Sequence, residues 1–291
     1  MGRKNKRQAF LNGCFLWEDK ASISIFDRGL LYGDGLFETL RTYGGEPFRL
    51  EAHLERLAQS AAFLQIPLPF EKDEIKGALR ELLRRNGLKD AYVRITLTRG
   101  RLTGRLDLGG KEPTLLIVVR EFKPYPKRYY RLGMKAIISR IRREPRSPLL
   151  QHKTLNYLPN ILARAEARES GADEALFLNT AGFLTEASVS NLFLVREGQV
   201  LTPPVSAGLL PGITRAVVLE ICRRNSIPAR EKNLRAREAA QGDEAFLSNS
   251  LMEVMPLSFL EGKPIGGGGV GDLSRNLRRL YKEAVRRELG L

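Results

Sequence analysis

Three features within residues 152–215 carry residue types that could do chemistry together. Lys153 precedes an amphipathic pattern, and the amine of a lysine can form a Schiff base with an aldehyde. Glu186 lies beside a predicted strand, and a carboxylate can pair with a protonated pyridine nitrogen. The run PGIT at residues 211–214 predicts a helix start, whose backbone N–H groups and positive dipole end can bind a phosphate. These are the three groups that pyridoxal 5′-phosphate (PLP) requires of a protein.

Each feature also has a plainer interpretation when it is taken alone. Lys153 could be one more solvated surface charge, Glu186 a member of an ion pair, and PGIT an ordinary helix cap. The joint pattern favours chemistry, because the runs EASVSNLF, VLT and LPGITR follow one another with short gaps. They resemble the signature of the class IV (fold type IV) PLP enzymes, and KTLNY is similar to that family's cofactor-lysine segment. The positions that agree with the signature are Glu186, Ser188, Asn191, Phe193, Thr202, Leu210, Gly212, Ile213 and Arg215.

The resemblance covers nearly the whole chain, from Phe10 to the last predicted helix, and it implies a fold. That fold is α/β (α+β), in the two-domain fold type IV architecture, with the cofactor in the interdomain cleft. The family includes branched-chain aminotransferases, D-amino-acid aminotransferases and aminodeoxychorismate lyases. Its members are usually homodimers, so the resemblance implies a homodimer that acts on small amino acid and 2-oxo acid substrates.

Composition and charge are those of a globular protein that attracts anions. The chain has 291 residues, of which 43% are hydrophobic, enough to bury the core of one or two domains. No apolar run reaches the ~18–20 residues of a membrane helix, and the basic N-terminus lacks the apolar region of a secretory signal. The net charge of +15 favours anionic ligands, but the basic residues are dispersed and match no nucleic-acid-binding motif. We therefore expect no membrane and no dedicated nucleic-acid partner.

The two cysteines carry no sign of a metal site or a disulfide. Cys14 and Cys222 have neither CxxC nor metal-type spacing. We expect both to be reduced, buried thiols in a cytoplasmic protein.

Hydrophobic periodicity predicts two domains. FLNGCFLW, ASISIF, LFETLRTY, AYVRITLTRG and TLLIVVREF predict strands, and residues 50–66 and 71–86 predict helices. The proline-punctuated KPYPKRYY predicts a linker. We expect an N-terminal α/β domain over 1–122, an interdomain linker over 123–130 and a C-terminal PLP-binding domain over 131–291.

The resemblance implies a role for each matching residue. Lys153 would be the catalytic lysine, which holds the cofactor and moves a proton between substrate and cofactor. Glu186 would keep the pyridine nitrogen protonated. Arg56, in HLERL, would bind the phosphate with its guanidinium fork, although alone it is typical of a solvated helix charge, and we expect His53 at the surface or only lightly packed. The other implied cofactor-binding residues are Tyr157, Ser188, Asn191, Leu210, Ile213, Thr214 and Ser250.

The residues that would select the reaction point in two directions. Tyr92 and Arg94 resemble the Tyr-x-Arg pair that binds the substrate carboxylate in branched-chain aminotransferases, although an alternating strand with exposed polar residues would look the same. Thr39 resembles the residue of aminodeoxychorismate lyases at a position where branched-chain enzymes typically have glycine, and Arg105 could match the lyase's substrate arginine. The Arg-x-His trap of D-amino-acid aminotransferases is absent from TRGRLTGRLDL. The other implied substrate-binding residues are Tyr32, Phe37 and Leu251.

The leading interpretation is a class IV PLP-dependent aminotransferase that moves the amino group of a branched-chain amino acid to a 2-oxo acid such as 2-oxoglutarate. The alternative is an aminodeoxychorismate lyase of the folate pathway, which forms 4-aminobenzoate and pyruvate. A D-amino-acid aminotransferase comes third. The transaminase stores the amine on the cofactor, whereas the lyase eliminates pyruvate and returns PLP unchanged.

Overall fold

The chain folds as two compact units. The structure is a computed structural model that describes residues 7–101, 108 and 112–291. Unit 1 comprises Met1–Lys123 and His152–Asn156, and unit 2 comprises Pro124–Gln151 and Tyr157–Leu291. Within the described ranges, no helix combines the length and apolar character needed to cross a membrane.

Unit 1 is built on one antiparallel sheet. Its described residues form six strands in the order β2-β1-β6-β5-β3-β4. The strands are β1 (Gln8–Leu11), β2 (Cys14–Trp17), β3 (Gly35–Tyr43), β4 (Glu46–Pro47), β5 (Ala91–Thr98) and β6 (Thr114–Glu121). The helices are α1 (Arg28–Tyr32), α2 (Leu50–Phe63) and α3 (Lys72–Asn86).

Alternation along the central strands gives this sheet two different faces. Apolar residues such as Leu40, Val93 and Ile117 form one core with the apolar stripes of α2 and α3, because side chains two positions apart point to the same side. The opposite face carries three cross-strand pairs, Phe37 with Thr96, Thr39 with Arg94 and Arg41 with Tyr92. One face therefore stabilises unit 1, and the other presents polar and charged groups.

Unit 2 is a larger mixed structure. Its strands are β7 (Met134–Arg143), β8 (Glu174–Asn179), β9 (Leu184–Ala187), β10 (Asn191–Arg196), β11 (Gln199–Thr202), β12 (Ala229–Glu231), β13 (Glu244–Asn249), β14 (Glu253–Leu260) and β15 (Lys263–Pro264). Its helices are α4 (Lys127–Leu132), α5 (Leu158–Glu169), α6 (Ile213–Arg224), α7 (Ala236–Ala240) and α8 (Asp272–Leu289).

Eight of the described strands of unit 2 form a row that closes on itself, and β15 pairs with β14 beside it. The order is β12-β11-β10-β13-β14-β7-β8-β9, and β9 also pairs with β10. The pairs β7–β8, β7–β14 and β11–β12 are parallel. In the core, the rings of Phe193 and Phe246 stack with centroids 4.7 Å apart and planes 6° apart. This closure brings the ends of β9, β10 and β13 side by side.

Three expectations for the start of the chain are wrong. FLNGCFLW is the hairpin β1–β2 rather than one strand, because Asn12 and Gly13 both adopt positive φ angles and turn the chain. The predicted strand ASISIF is absent, since residues 21–26 form no strand and β1 already pairs with β2 and β6. Burial is confirmed for Cys222 and wrong for Cys14, which is exposed on the edge strand β2.

The boundary between the units also differs from the expected linker. Unit 2 begins at Pro124, and most of the expected linker beyond it forms α4. His152–Asn156 belongs to unit 1 because its backbone pairs with β3. The Phe37 N–H donates to the Lys153 carbonyl at 2.9 Å, and the Leu155 N–H donates to the Gly35 carbonyl at 2.9 Å. Unit 1 therefore carries the lysine.

Candidate active site

A buried carboxylate lies on the core face of unit 1, on the strand that pairs with the Lys153 segment. Glu38 lies on β3 and is 1% exposed. Arg56 of α2 donates to it from Nε at 2.8 Å and from Nη2 at 2.7 Å, and Nδ1 of His53 lies 2.7 Å from its Oε2. If Glu38 lost these partners, the unpaired buried charge would cost several kcal/mol. The pairing therefore fixes α2 against β3.

The surroundings of Glu38 act on its pKa in opposite directions. Burial raises the pKa and is the largest single influence, but Arg56 and His53 together outweigh it and lower the pKa from 4.5 to about 2. Burial also lowers the pKa of His53, against the raising effect of Glu38. At neutral pH, Glu38 is therefore ionised and His53 is neutral.

These contacts correct one expectation about α2. His53 was expected at the surface or only lightly packed, which is wrong, because it is 1% exposed and pairs with a carboxylate of β3. Arg56 is not a solvated charge either, since Glu38 holds its guanidinium in a fixed plane. Its phosphate-binding role stays a prediction.

Lys153 lies in a segment whose backbone is fixed by β3. The Phe37 N–H donates to its carbonyl oxygen, and Thr154 forms a bridge with Leu36. These bonds place the lysine next to a strand that carries Glu38 on one face and Phe37 on the other. The lysine backbone is therefore held by main-chain hydrogen bonds.

Helix α2 holds the residue that precedes the lysine. His152 stacks on Phe63 with centroids 4.2 Å apart and planes 22° apart, and its Nδ1 lies 2.9 Å from the Ser60 hydroxyl. Positions 56, 60 and 63 follow helical spacing. One stripe of α2 therefore contacts both Glu38 and the lysine segment.

The Lys153 ammonium and a guanidinium lie against the same aromatic ring. Nζ of Lys153 is 4.5 Å from the centroid of Phe37, and Cζ of Arg94 is 3.9 Å from it. The π face of a ring attracts cations. Nε of Arg94 also donates to the Thr96 hydroxyl at 3.2 Å. An amine and a group suited to carboxylates are thus held close together.

The other arginines of this sheet face have partners of their own. Arg41 stacks over Phe122 at 3.8 Å and over Tyr43 at 4.2 Å. Arg120 forms an ion pair with Glu18. In the described part of the chain, Arg94 pairs with no carboxylate. Arg94 is therefore an arginine of this face that is suited to take a carboxylate from a ligand.

Glu186, in unit 2, lies at the end of β9 beside β10. Its Oε2 accepts from the backbone N–H of Leu210 at 3.2 Å and from Nδ2 of Asn191 at 3.4 Å. Nδ2 of Asn191 also donates to the Leu210 carbonyl at 2.9 Å. The structure therefore brings these three predicted residues into one hydrogen-bonded group.

The start of α6 lies against this group. Gly212 is the N-cap residue, and no side chain caps the helix. A Cβ on Gly212 would lie 1.9 Å from Oδ1 of Asn191, so the approach requires glycine. The first helical residues are Ile213 and the buried Thr214. Such a helix start presents backbone N–H groups to an anion.

Ser188 is held from several sides. Its carbonyl accepts from Nδ2 of Asn160 at 2.6 Å and from the Tyr157 hydroxyl at 3.4 Å. Its own hydroxyl donates to the buried carboxyl of Glu174, and burial raises the pKa of Glu174. The turn between β9 and β10 is therefore anchored to α5 and β8.

Arg143 is a neighbour of this group that the sequence did not indicate. Its guanidinium stacks over Phe177 at 4.0 Å and donates to Oδ1 of Asn160 at 3.0 Å. Burial lowers the pKa of Arg143, while Glu186 and Tyr157 raise it. The positive charge of Arg143 therefore lies near Glu186 and Tyr157, two of the predicted site residues.

Asn249 links two turns that carry predicted residues. Its Oδ1 accepts from the backbone N–H groups of Leu251 at 2.9 Å and Met252 at 2.8 Å, which shapes the turn containing Ser250. Its Nδ2 donates to the Val189 carbonyl at 3.0 Å. The Ser250 turn and the Ser188 turn are thus held together.

The remaining predicted substrate residues are distributed over unit 1. Thr39 and Tyr92 lie on the sheet face with Arg94. Tyr32 ends α1 and is half exposed. Arg105 lies outside the described residues.

The groups present fit PLP. In unit 1, Lys153 supplies an amine suited to an aldehyde. In unit 2, Glu186 is a carboxylate held by two donors, which suits a protonated ring nitrogen. The uncapped α6 start, with a glycine whose Cβ would collide with Asn191, suits a phosphate. Each part of the cofactor therefore has a chemically matched residue in this chain.

Comparison with known sequences shows the family. The model of amino-transferase class IV matches residues 35–259. The "Putative branched-chain-amino-acid aminotransferase" of Methanocaldococcus jannaschii is 37% identical over 286 residues, covering 97% of each chain. A D-alanine aminotransferase of Bacillus licheniformis is 31% identical over 279 residues, covering 96% of this chain and 97% of its own.

Solved structures give the same result for the fold. The branched-chain aminotransferase of Thermoproteus uzoniensis with norvaline matches with a TM-score of 0.90 at 32% identity, covering 96% of this chain and 95% of its own. A "Putative 4-amino-4-deoxychorismate lyase" of Legionella pneumophila matches with a TM-score of 0.84 at 30% identity, covering 91% and 96%. The chain belongs to amino-transferase class IV, a family of PLP-dependent enzymes, and has the fold type IV architecture.

Sequence reasoning missed Glu38, His53, Arg143 and Asn249. Glu38 interrupts the apolar positions of β3 that face the core, and a charge at such a position signals a buried pair. Its partners could not be read from the sequence, because His53 and Arg56 lie off the apolar stripe of α2. No local pattern marks Arg143 among the many arginines of its strand.

We predict that Glu38→Gln removes a pH dependence of stability. Because the folded pKa is depressed, the contribution of Glu38 is complete above its unfolded pKa of 4.5 and is lost as the pH falls towards about 2. The lowering of the Glu38 pKa from 4.5 to about 2 corresponds to about 3 kcal/mol of unfolding free energy. Denaturant unfolding at a series of pH values from 5 to about 2 measures it.

The matched control is Glu81→Gln. The pKa of Glu81 is also lowered to about 2, by hydrogen bonds from Arg84 and Arg85, but these pairs lie on the surface of α3, where solvent screens them. We expect Glu81→Gln to keep most of the wild-type slope of unfolding free energy against pH. Identical slopes for the wild type and Glu38→Gln would contradict the role given to Glu38.

Proposed function

We propose that this enzyme transfers the amino group of a branched-chain amino acid to a 2-oxo acid such as 2-oxoglutarate. The observation that carries the proposal is the placement of Lys153 and Arg94 against the ring of Phe37. An amino acid and a 2-oxo acid each have a carboxylate close to the carbon that exchanges its amine. A lysine beside an arginine is suited to both substrates.

PLP, when bound, supplies an electron sink for the bonds broken at the substrate Cα. The Lys153 amine would hold the cofactor covalently and then move the proton between the substrate Cα and the cofactor's C4′ atom. Glu186 would keep the proton on the ring nitrogen, and Asn191 and the Leu210 N–H would hold its carboxylate in place. Arg56, the Ile213 and Thr214 N–H groups and the Thr214 and Ser250 hydroxyls would hold the phosphate.

Arg94 would bind the carboxylate of the 2-oxo acid. It has no carboxylate partner in the described part of the chain, and charge-assisted bonds to a planar carboxylate suit a guanidinium. Tyr92 lies on the same face two residues away. The names of the Methanocaldococcus jannaschii and Thermoproteus uzoniensis proteins support a branched-chain donor.

Aminodeoxychorismate lyase activity is the second candidate, and Thr39 is the observation that favours it. Thr39 is directly opposite Arg94 in the register of β3 and β5, so its side chain lies beside the proposed substrate arginine. The likeness to the Legionella pneumophila protein supports this interpretation. The relatives named as D-alanine aminotransferases keep a D-amino acid donor as the third candidate.

We also propose that the enzyme is a homodimer that uses the segment 23–32. This segment exposes six large apolar side chains, those of Ile23, Ile25, Phe26, Leu30, Leu31 and Tyr32. Exposed apolar side chains concentrated in one segment indicate an interaction surface, and these six are called the patch below. A second copy is the partner proposed, because most homo-oligomers are symmetric dimers in which both copies use the same patch.

The patch is rigidly supported. The Asp27 carboxylate accepts from the Gly29 N–H and the Thr98 hydroxyl, both at 2.8 Å. The Asp34 carboxylate forms ion pairs with Arg28 at 2.9 Å and with Arg99 at 2.8 Å. A surface fixed in this way loses little conformational entropy when a partner binds.

For the reaction, we predict that Arg94→Gln raises the KM for 2-oxoglutarate about 10- to 100-fold, because it removes charge-assisted bonds to the carboxylate. Arg120→Gln is the matched control, since this arginine lies on the same sheet but pairs with Glu18. The control should stay within about twofold of the wild type. Steady-state kinetics with L-leucine measure both, and an unchanged KM in Arg94→Gln would contradict the substrate role.

For the dimer, we predict that light scattering after size exclusion gives twice the chain mass of 32.7 kDa. Phe26→Asp should shift the mass to that of one chain, because it places a charge in the patch. Leu132→Asp changes an exposed leucine of α4, outside the patch, and should leave the dimer intact. A monomeric wild type would contradict the proposal.

A further inference from the structure

Three side chains of unit 2 form one row across neighbouring strands. Asn191 of β10 is paired with Glu186 of β9 on one side and with Ser248 of β13 on the other. Residues paired in this way place their side chains on the same face. With strands about 4.8 Å apart, the row spans about 10 Å. The predicted partner of the ring nitrogen is at one end, and a serine that no sequence pattern indicated is at the other.

The Ser248 hydroxyl is buried without a partner. The residue is 1% exposed, and in the described part of the chain its Oγ has no hydrogen-bond partner. Buried hydroxyls are nearly always paired, and an unpaired one is unfavourable. Ser258 of β14 shows the usual arrangement, since its buried hydroxyl is within hydrogen-bonding distance of the Leu132 carbonyl at 2.8 Å. Ser248 therefore requires an acceptor that the described residues do not provide.

The surroundings indicate where this acceptor lies. Two residues back along β13, on the same face, Phe246 stacks on Phe193, so that side offers no hydrogen-bond acceptor. On the neighbouring strand β10, Asn191 is paired with Ser248 and touches Gly212, the N-cap of α6. This twelve-residue helix begins without a side-chain cap. An unpaired hydroxyl and an uncapped helix start thus belong to the same corner of unit 2.

We propose that the Ser248 hydroxyl donates a hydrogen bond to the phosphate of PLP. A phosphate offers several acceptor oxygens, and a helix start attracts its negative charge. The row then has a simple order, in which Glu186 serves the ring nitrogen, Asn191 fixes the middle and Ser248 serves the phosphate. This inference rests on the proposed cofactor chemistry, and it adds a binding residue to it.

The inference separates two effects of removing the hydroxyl. In the protein without cofactor, Ser248→Ala deletes an unpaired polar group, so the midpoint of thermal unfolding should be unchanged or higher. With cofactor, the same change deletes a bond to a charged group, so PLP should bind on the order of tenfold more weakly. If the hydroxyl were merely structural, Ser248→Ala would lower the midpoint of thermal unfolding and leave the affinity for PLP unchanged.

The experiment titrates cofactor-free protein with PLP and, separately, with pyridoxal, which lacks the phosphate. We expect Ser248→Ala to lose affinity for PLP and to keep its affinity for pyridoxal. Ser258→Ala is the matched control, since it deletes a paired buried hydroxyl. That control should lower the midpoint of thermal unfolding and leave the dissociation constant of PLP unchanged.

Each other outcome overturns the assignment. Equal PLP affinity in the wild type and Ser248→Ala, or an equal loss for PLP and pyridoxal, would remove Ser248 from the phosphate while leaving the enzyme's proposed function intact. A lower thermal midpoint in cofactor-free Ser248→Ala would make the hydroxyl structural. A wild type that binds neither compound would overturn the proposed function and this inference with it.

Discussion

The pairing of a buried carboxylate is the constraint on which unit 1 depends. Glu38 lies on the core face of β3, where a charge is tolerated only with partners, and α2 supplies Arg56 and His53. The same stripe of α2 continues to Ser60 and Phe63, which hold His152 next to the lysine. Because alternation turns Phe37 to the other face, the strand that buries the charge also presents the ring against which Lys153 and Arg94 lie.

In unit 2, a close approach between the backbone at Gly212 and the side chain of Asn191 positions the start of α6. Gly212 lies so near Asn191 that no Cβ fits between them, which brings the start of α6 to the row that contains Glu186. Hydrogen bonds from Asn249 and from Ser188 then fix the two turns beside this row. Turns fixed by hydrogen bonds on a closed set of strands are the kind of rigid support that a binding site requires.

Much of this could be predicted from the sequence, for physical reasons that differ between elements. The helices over 50–66 and 71–86 and the central strands were found because their apolar spacing is local. The signature residues Glu186, Asn191 and Leu210 were found because the family pattern fixes them, and they do form one group.

The buried state of His53 was missed, since it depends on a carboxylate fifteen residues away in another element. ASISIF has the alternation of a strand but lacks a neighbour to pair with. The attachment of Lys153 to unit 1 depends on a backbone bond to Phe37, which no local pattern shows.

The most direct measurement is the visible absorption spectrum of the purified enzyme with PLP, recorded before and after L-leucine is added without any 2-oxo acid. We predict a yellow wild type whose visible band disappears with L-leucine, because the amine passes to the cofactor. In Lys153→Ala, L-leucine should cause no such turnover. A yellow protein that ignores L-leucine would contradict the branched-chain donor and favour the lyase, which pyruvate release from 4-amino-4-deoxychorismate would then establish. A protein that stays colourless after PLP is added would contradict the central role of Lys153.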